Sequence, residues 1–103
     1  MPGVIVIARF RPKPGREADL RALLDEVQAA SREDDGCEAY GYYAAIDDEN
    51  LLVAVEEWRD DAALAAHLRT PHVQKLIASI PELADGMPGI AAHQVSATGP
   101  LPL

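Results

Sequence analysis

The segment running from Val55 to His72 concentrates the side chains best suited to chemistry in this 103-residue chain. Glu56 and Trp58 are two apart, so on a strand they share one face while Glu57 takes the other. His67 lies three residues after Leu64 and one before Leu68, which on a helix groups it with them on the face turned toward a core. If the face carrying Glu56 and Trp58 looks at that helix, the three residues converge. There an imidazole can accept a proton or donate a hydrogen bond, an indole gives a flat wall for a ring, and a carboxylate orients a polar group. The alternative is purely structural, with Trp58 as core, Glu56 pairing locally and His67 as an interior histidine whose hydrogen bonds are satisfied.

Tyr40, Tyr42 and Tyr43 lie on both faces of a strand, Tyr40 and Tyr42 together, and can line the same pocket or a subunit seam; Tyr43 fits the seam better. Arg9 and Arg11 share a face and could hold an anionic oxygen, although a rim ion pair with the surplus carboxylates is the commoner arrangement. His67 and His72 are five apart, off the i, i+4 row, and His93 is distant, so the spacing argues against a metal site; His72, at a helix start, is expected to be exposed. The single Cys37 has no partner for an internal disulfide and reads as a small buried hydrophobe. The scattered glycines make no phosphate-cradling or dinucleotide fingerprint, so no cofactor is expected.

Positioning these residues requires several elements. Residues 4–10 are rich in β-branched side chains and stop at Pro12-Lys13-Pro14-Gly15, strong turn chemistry, which makes them a first strand. From residue 16 to about 32, Leu20, Leu23, Leu24 and Val27 mark one buried helical stripe. Asp34-Asp35-Gly36 ends that helix. Residues 37–46 and 51–58 then read as two strands paired through the polar turn 47–50. Asp60 is a natural N-cap for an Ala-rich helix reaching Leu68, and Thr70-Pro71 restarts a second helical piece through about Ala78. A loop over 81–89 and a weak strand over 90–97 complete the order strand, helix, strand, strand, helix, strand. The expectation is an α+β, ferredoxin-like subunit with an antiparallel sheet, residues 1–98 forming one domain and 99–103 a tail. Strands one and three are apolar at almost every position, so both sheet faces need cover, and a second copy of the chain is the economical cover.

Nine Lys and Arg against 17 Asp and Glu give a net charge of −8, which opposes binding to nucleic-acid phosphates or anionic lipid. No apolar run approaches the roughly 20 residues of a membrane span, and the first residues lack the pattern of a leader, so a cytoplasmic protein is expected.

Three blocks in order, Phe10-Arg11-Pro12-Lys13-Pro14-Gly15, Gly36-Cys37-Glu38-Ala39-Tyr40, and Glu56-x-Trp58 with Ala66-His67-Leu68 and Pro71-His72, resemble the antibiotic biosynthesis monooxygenase family over residues 4–95. The likeness is to its quinol monooxygenase branch. This resemblance implies a dimeric α+β barrel and oxygenation of a small aromatic hydroquinone, phenol or anthrone to a quinone by O2 without flavin, haem or metal. It points to His67, Trp58, Tyr40 and Glu56 as the residues of the site. A different class of function, a non-catalytic dimer that binds a small aromatic ligand, uses the same pocket. A haem-degrading branch is similar in fold, but its Trp position falls on His67, its His position near Ile77, and strand one lacks the Asn it uses.

Overall fold

Alternation along the first strand, β1 (Val4–Phe10), buries Val4, Val6, Ala8 and Phe10 and turns Ile5, Ile7 and Arg9 to the opposite face. The structure, a computed structural model, describes residues 3–102. Gly15, at φ 84°, makes the turn into α1 (Glu17–Ser31), whose Leu20, Leu23, Leu24 and Val27 form the buried stripe expected from their spacing. Two acidic residues, Glu17 and Asp19, occupy its first turn, where the helix dipole favours negative charge.

Strands β2 (Cys37–Ala45) and β3 (Asp48–Trp58) form an antiparallel hairpin with Ala45 opposite Asp48, so the turn is shorter than the 47–50 read from polarity. Ile46 and Asp47 make the turn, and Asp48, Glu49 and Asn50 extend β3 instead, because backbone pairing does not require apolar side chains where the strand projects beyond the core. The strand β4 (Gly89–Gln94) pairs with β1 and ends three residues before the expected Ala97. The sheet order is β2-β3-β1-β4, antiparallel throughout, with the helices connecting the strands in the ferredoxin-like βαββαβ order.

The second helical layer is broken, as Thr70 and Pro71 imply. Asp60 accepts from the Ala63 N–H at 2.8 Å and caps α2 (Asp61–Leu68), and Thr70 caps α3 (Pro71–Leu83). The latter runs five residues past the expected Ala78, through Pro81. Proline there removes one backbone donor, but Val73, Leu76, Ile80 and Leu83 continue a buried stripe that holds the last turn against the sheet. Lys13 Nζ also bonds the Pro81 carbonyl at 2.6 Å, and the Lys13 N–H bonds the Leu83 carbonyl at 2.8 Å. Leu20, Leu24 and Val27 with Leu76 and Ile80 fill the space above Val6, Ala8, Leu52 and Ala54, forming the core. Among the described residues, no helix is long and apolar enough to cross a membrane.

Candidate active site

Glu56 and Trp58 stand on the inner face of β3, and the register sets Tyr40 of β2 opposite Glu56. All three are buried, and the helix α2 lowers His67 onto them. The His67 ring lies over the Trp58 ring with centroids 4.3 Å apart, and the Tyr40 ring meets it edge-on at 5.5 Å. Thus the four residues singled out by sequence are adjacent in space. On α2 the inward partner of His67 is Ala63 rather than Leu68, which is exposed. So short and Ala-rich a helix has no well-defined apolar stripe, and its docking is set by neighbouring turns instead.

Gly36 controls one of those turns. Its φ of 81° suits glycine, a side-chain carbon there would run into the Ala63 methyl, and its carbonyl accepts from the Arg59 N–H at 2.8 Å. The segment between α1 and β2 is thereby pressed against the start of α2, and Asp34 lands beside His67. Asp34 Oδ2 is 2.8 Å from His67 Nδ1 and 2.9 Å from His72 Nε2. An ionised carboxylate only accepts hydrogen bonds, so this arrangement puts the proton of each neutral ring on the nitrogen facing Asp34. The His67 Nε2 lone pair then faces Glu56 Oε1 across 3.9 Å, too far for a direct hydrogen bond. Trp58 Nε1 donates to that same Glu56 oxygen at 3.0 Å.

Two expectations about the histidines are corrected here. His72 is not exposed, its side chain being 17% accessible, and the two histidines do meet through Asp34. The i, i+4 argument against a metal assumed one continuous helix; the break at Thr70-Pro71 resets the helical phase, so five residues of spacing no longer separate the rings.

Burial holds the His67 imidazole below the ordinary histidine range, although Asp34 pulls the other way. Desolvation raises the Glu56 carboxyl, with the Trp58 N–H opposing. The Tyr40 hydroxyl shares a hydrogen bond of 2.9 Å with Tyr42, and burial pushes the Tyr40 phenol up to about 12. An open cleft of about 260 Å³ runs beside the dyad, lined by Asp34, His67, Thr70, Arg59 and the small side chains of Ala62, Ala63 and Ala66. Of the four residues chosen from the sequence, only His67 borders it; Trp58, Tyr40 and Glu56 pack behind the imidazole. Tyr42 borders a separate cleft of about 180 Å³ beside Arg21 and Gln28, while Tyr43 is 60% exposed. Arg11 makes a rim ion pair with Asp48 at 2.8 Å, and Cys37 is half-buried against the core.

Asp34 escaped the sequence reading because it lies 33 residues from His67 and looked like turn chemistry alone. His72 was visible as a residue but was placed by the wrong helical register.

Comparison with known proteins agrees with this architecture. The antibiotic biosynthesis monooxygenase family model matches residues 3–79. Rv0793 of Mycobacterium tuberculosis is 41% identical over 80 residues, covering 78% of each chain. Its solved structure superposes with a TM-score of 0.85 at 33% identity, covering 96% of this chain and 98% of that one. PA3566 of Pseudomonas aeruginosa gives a TM-score of 0.82 at 27% identity, covering 96% and 97%. By the extent of the family match and the likeness to Rv0793, this chain belongs to the antibiotic biosynthesis monooxygenase family.

Proposed function

We propose that the chain is a homodimeric oxygenase that converts a small hydroquinone, phenol or anthrone to a quinone with O2, the substrate itself supplying the electrons. The observation that carries this reading is the Asp34-His67 dyad at the edge of a cleft: a buried imidazole, held below its ordinary pKa by desolvation and oriented by a carboxylate at 2.8 Å. A phenol with a reference pKa of about 10 gives up an electron to O2 far more readily once its proton is lost. His67 takes that proton at Nε2, the nitrogen that Asp34 leaves free, which requires the substrate hydroxyl to reach the ring edge on the Glu56 side, and Asp34 at Nδ1 stabilises the imidazolium that results. The alanine walls of the cleft suit a flat ring, and the packing of Trp58 and Tyr40 behind His67 fixes the imidazole plane. In the overall reaction of a phenol or of the enol of an anthrone, the C–H para to the hydroxyl becomes C=O with one atom of O2; a hydroquinone, already oxygenated at that position, takes the atom at a neighbouring ring C–H and leaves as a hydroxyquinone. The other oxygen atom leaves as water with two hydrogens of the substrate.

The second subunit is supported by the outer sheet face, where Ile5, Ile7, Val53 and Val55 are only partly covered in one chain. Oxygen-18 mass spectrometry tests the activity: incubation with the purified chain is expected to give labelled quinone from anthrone, and labelled hydroxyquinone from hydroquinone and naphthoquinol, above the autoxidation control. Absence of label from all three, with ligand binding retained, moves the protein to the class of small-aromatic binding proteins.

A further inference from the structure

We propose that Asp34, His67 and His72 form a binding site for a divalent transition-metal ion, zinc being the simplest occupant. One ligand atom from each of the three residues lies within 4.8 Å of the others. Two imidazole nitrogens and one carboxylate oxygen are a donor set that favours zinc and its first-row neighbours over magnesium or calcium, which prefer oxygen alone. Zinc with bonds of about 2.0–2.1 Å holds tetrahedral ligands about 3.4 Å apart, so Asp34 Oδ2 has to retreat by about 0.5 Å from the two nitrogens it now touches, and the two imidazole nitrogens, now up to 4.8 Å apart, have to close toward each other. That carboxylate sits on the connection between α1 and β2, where such a shift is accommodated most easily.

The surroundings supply what a three-ligand site needs. Metal-bound imidazoles commonly donate their other N–H to a carboxylate, and Glu56 Oε1, anchored by Trp58 Nε1, faces His67 Nε2 at 3.9 Å, a gap the ring has to narrow to make that bond. The backbone of His67 is fixed by the Thr70 hydroxyl, which bonds its carbonyl at 2.7 Å. The cleft beside Asp34 and His67 gives an ion a path from solvent and room for a water as fourth ligand. Charge points the same way. Among the described residues, neither Asp34 nor Glu56 pairs with a lysine or arginine, and Arg59 turns to Asp35 and Asp60 instead. The acidic side chains beside the two imidazoles therefore have no protein cation as partner, a place a dication can take.

Coordination through Nδ1 moves the ring proton of His67 to Nε2, facing Glu56, and converts a base into a donor. On the oxygenase reading given above, an occupied site would therefore be inactive; binding itself does not depend on that reading.

Isothermal titration of the chelator-stripped full chain with zinc tests the site, alongside the visible spectrum of the cobalt-loaded protein. The expected result is one zinc per chain, the intense visible bands of four-coordinate cobalt, and a fall in affinity of more than about 100-fold in His72→Ala and in Asp34→Asn, beyond the 10–100-fold typical of an outer-shell partner. His93→Ala, far along β4, is expected to bind like the native chain. Absence of zinc binding, or binding equally tight in His72→Ala, overturns the proposal. Should a variant fail to fold, the native cobalt spectrum still decides: no four-coordinate bands, no site.

Discussion

His67 shows how a residue's chemistry is set by what surrounds it. Stacked on Trp58 and 3% exposed, it would be an ordinary interior histidine if Asp34 did not hold Nδ1 from across the molecule. The sequence made His67, Trp58, Tyr40 and Glu56 legible because strand alternation and β2–β3 pairing are local rules. Asp34 was not legible, because only the folded chain brings a turn residue to a helix 33 positions away. Tyr40 offers a prediction at this scale. Desolvation raises its phenol to about 12, and the shared hydrogen bond with Tyr42 lowers it only in part. The folded state therefore keeps the proton that an unfolded chain loses near pH 10, so this contribution to stability is intact below about pH 10 and is lost as pH rises through about 12. In an ultraviolet titration the tyrosinate signal of Tyr40 is expected only near pH 12 or on alkaline unfolding; Tyr40→Phe should remove that component.

Among the elements, the connection between α1 and β2 and the break between α2 and α3 matter most for the site. Both were recognised from the sequence as boundaries, Asp34-Asp35-Gly36 ending a helix and Thr70-Pro71 starting one. Their consequence was not, since a boundary read from capping chemistry carries no direction in space. The extension of α3 through Pro81 was missed for a related reason: proline predicts a break from local hydrogen bonding, whereas tertiary burial of Ile80 and Leu83 kept the helix. Gly36 is the test of this level. Gly36→Ala combines a left-handed backbone with a collision at Ala63, and about 2–3 kcal/mol of destabilisation is expected in urea unfolding. Because the same turn carries Asp34, ligand binding at the cleft should weaken in that variant even where it remains folded.

For the whole molecule, the ferredoxin-like order and the antiparallel sheet followed from the alternation of strand and helix patterns, and the family resemblance was visible in three motif blocks. The proposed dimer rests on a different feature, the apolar outer face of β1 and β3. Val55, in the middle of β3 and opposite Ile7, is 36% exposed in one chain. In a dimer built on this face, Val55→Asp would bury an unpaired charge, and sedimentation velocity should find the native chain at twice the mass of the variant. Equal masses for the two would contradict a dimer through this surface.

The central claim is that His67, oriented by Asp34, takes the substrate proton in an oxygenase. Its most direct test is the rate of oxygen-18 incorporation into quinone by native protein, His67→Ala and Asp34→Asn, each shown to be folded by circular dichroism. The account predicts labelled quinone from the native chain and losses of about 100-fold or more in both variants, within the range of a general base. Labelled product formed at native rate by His67→Ala would contradict it.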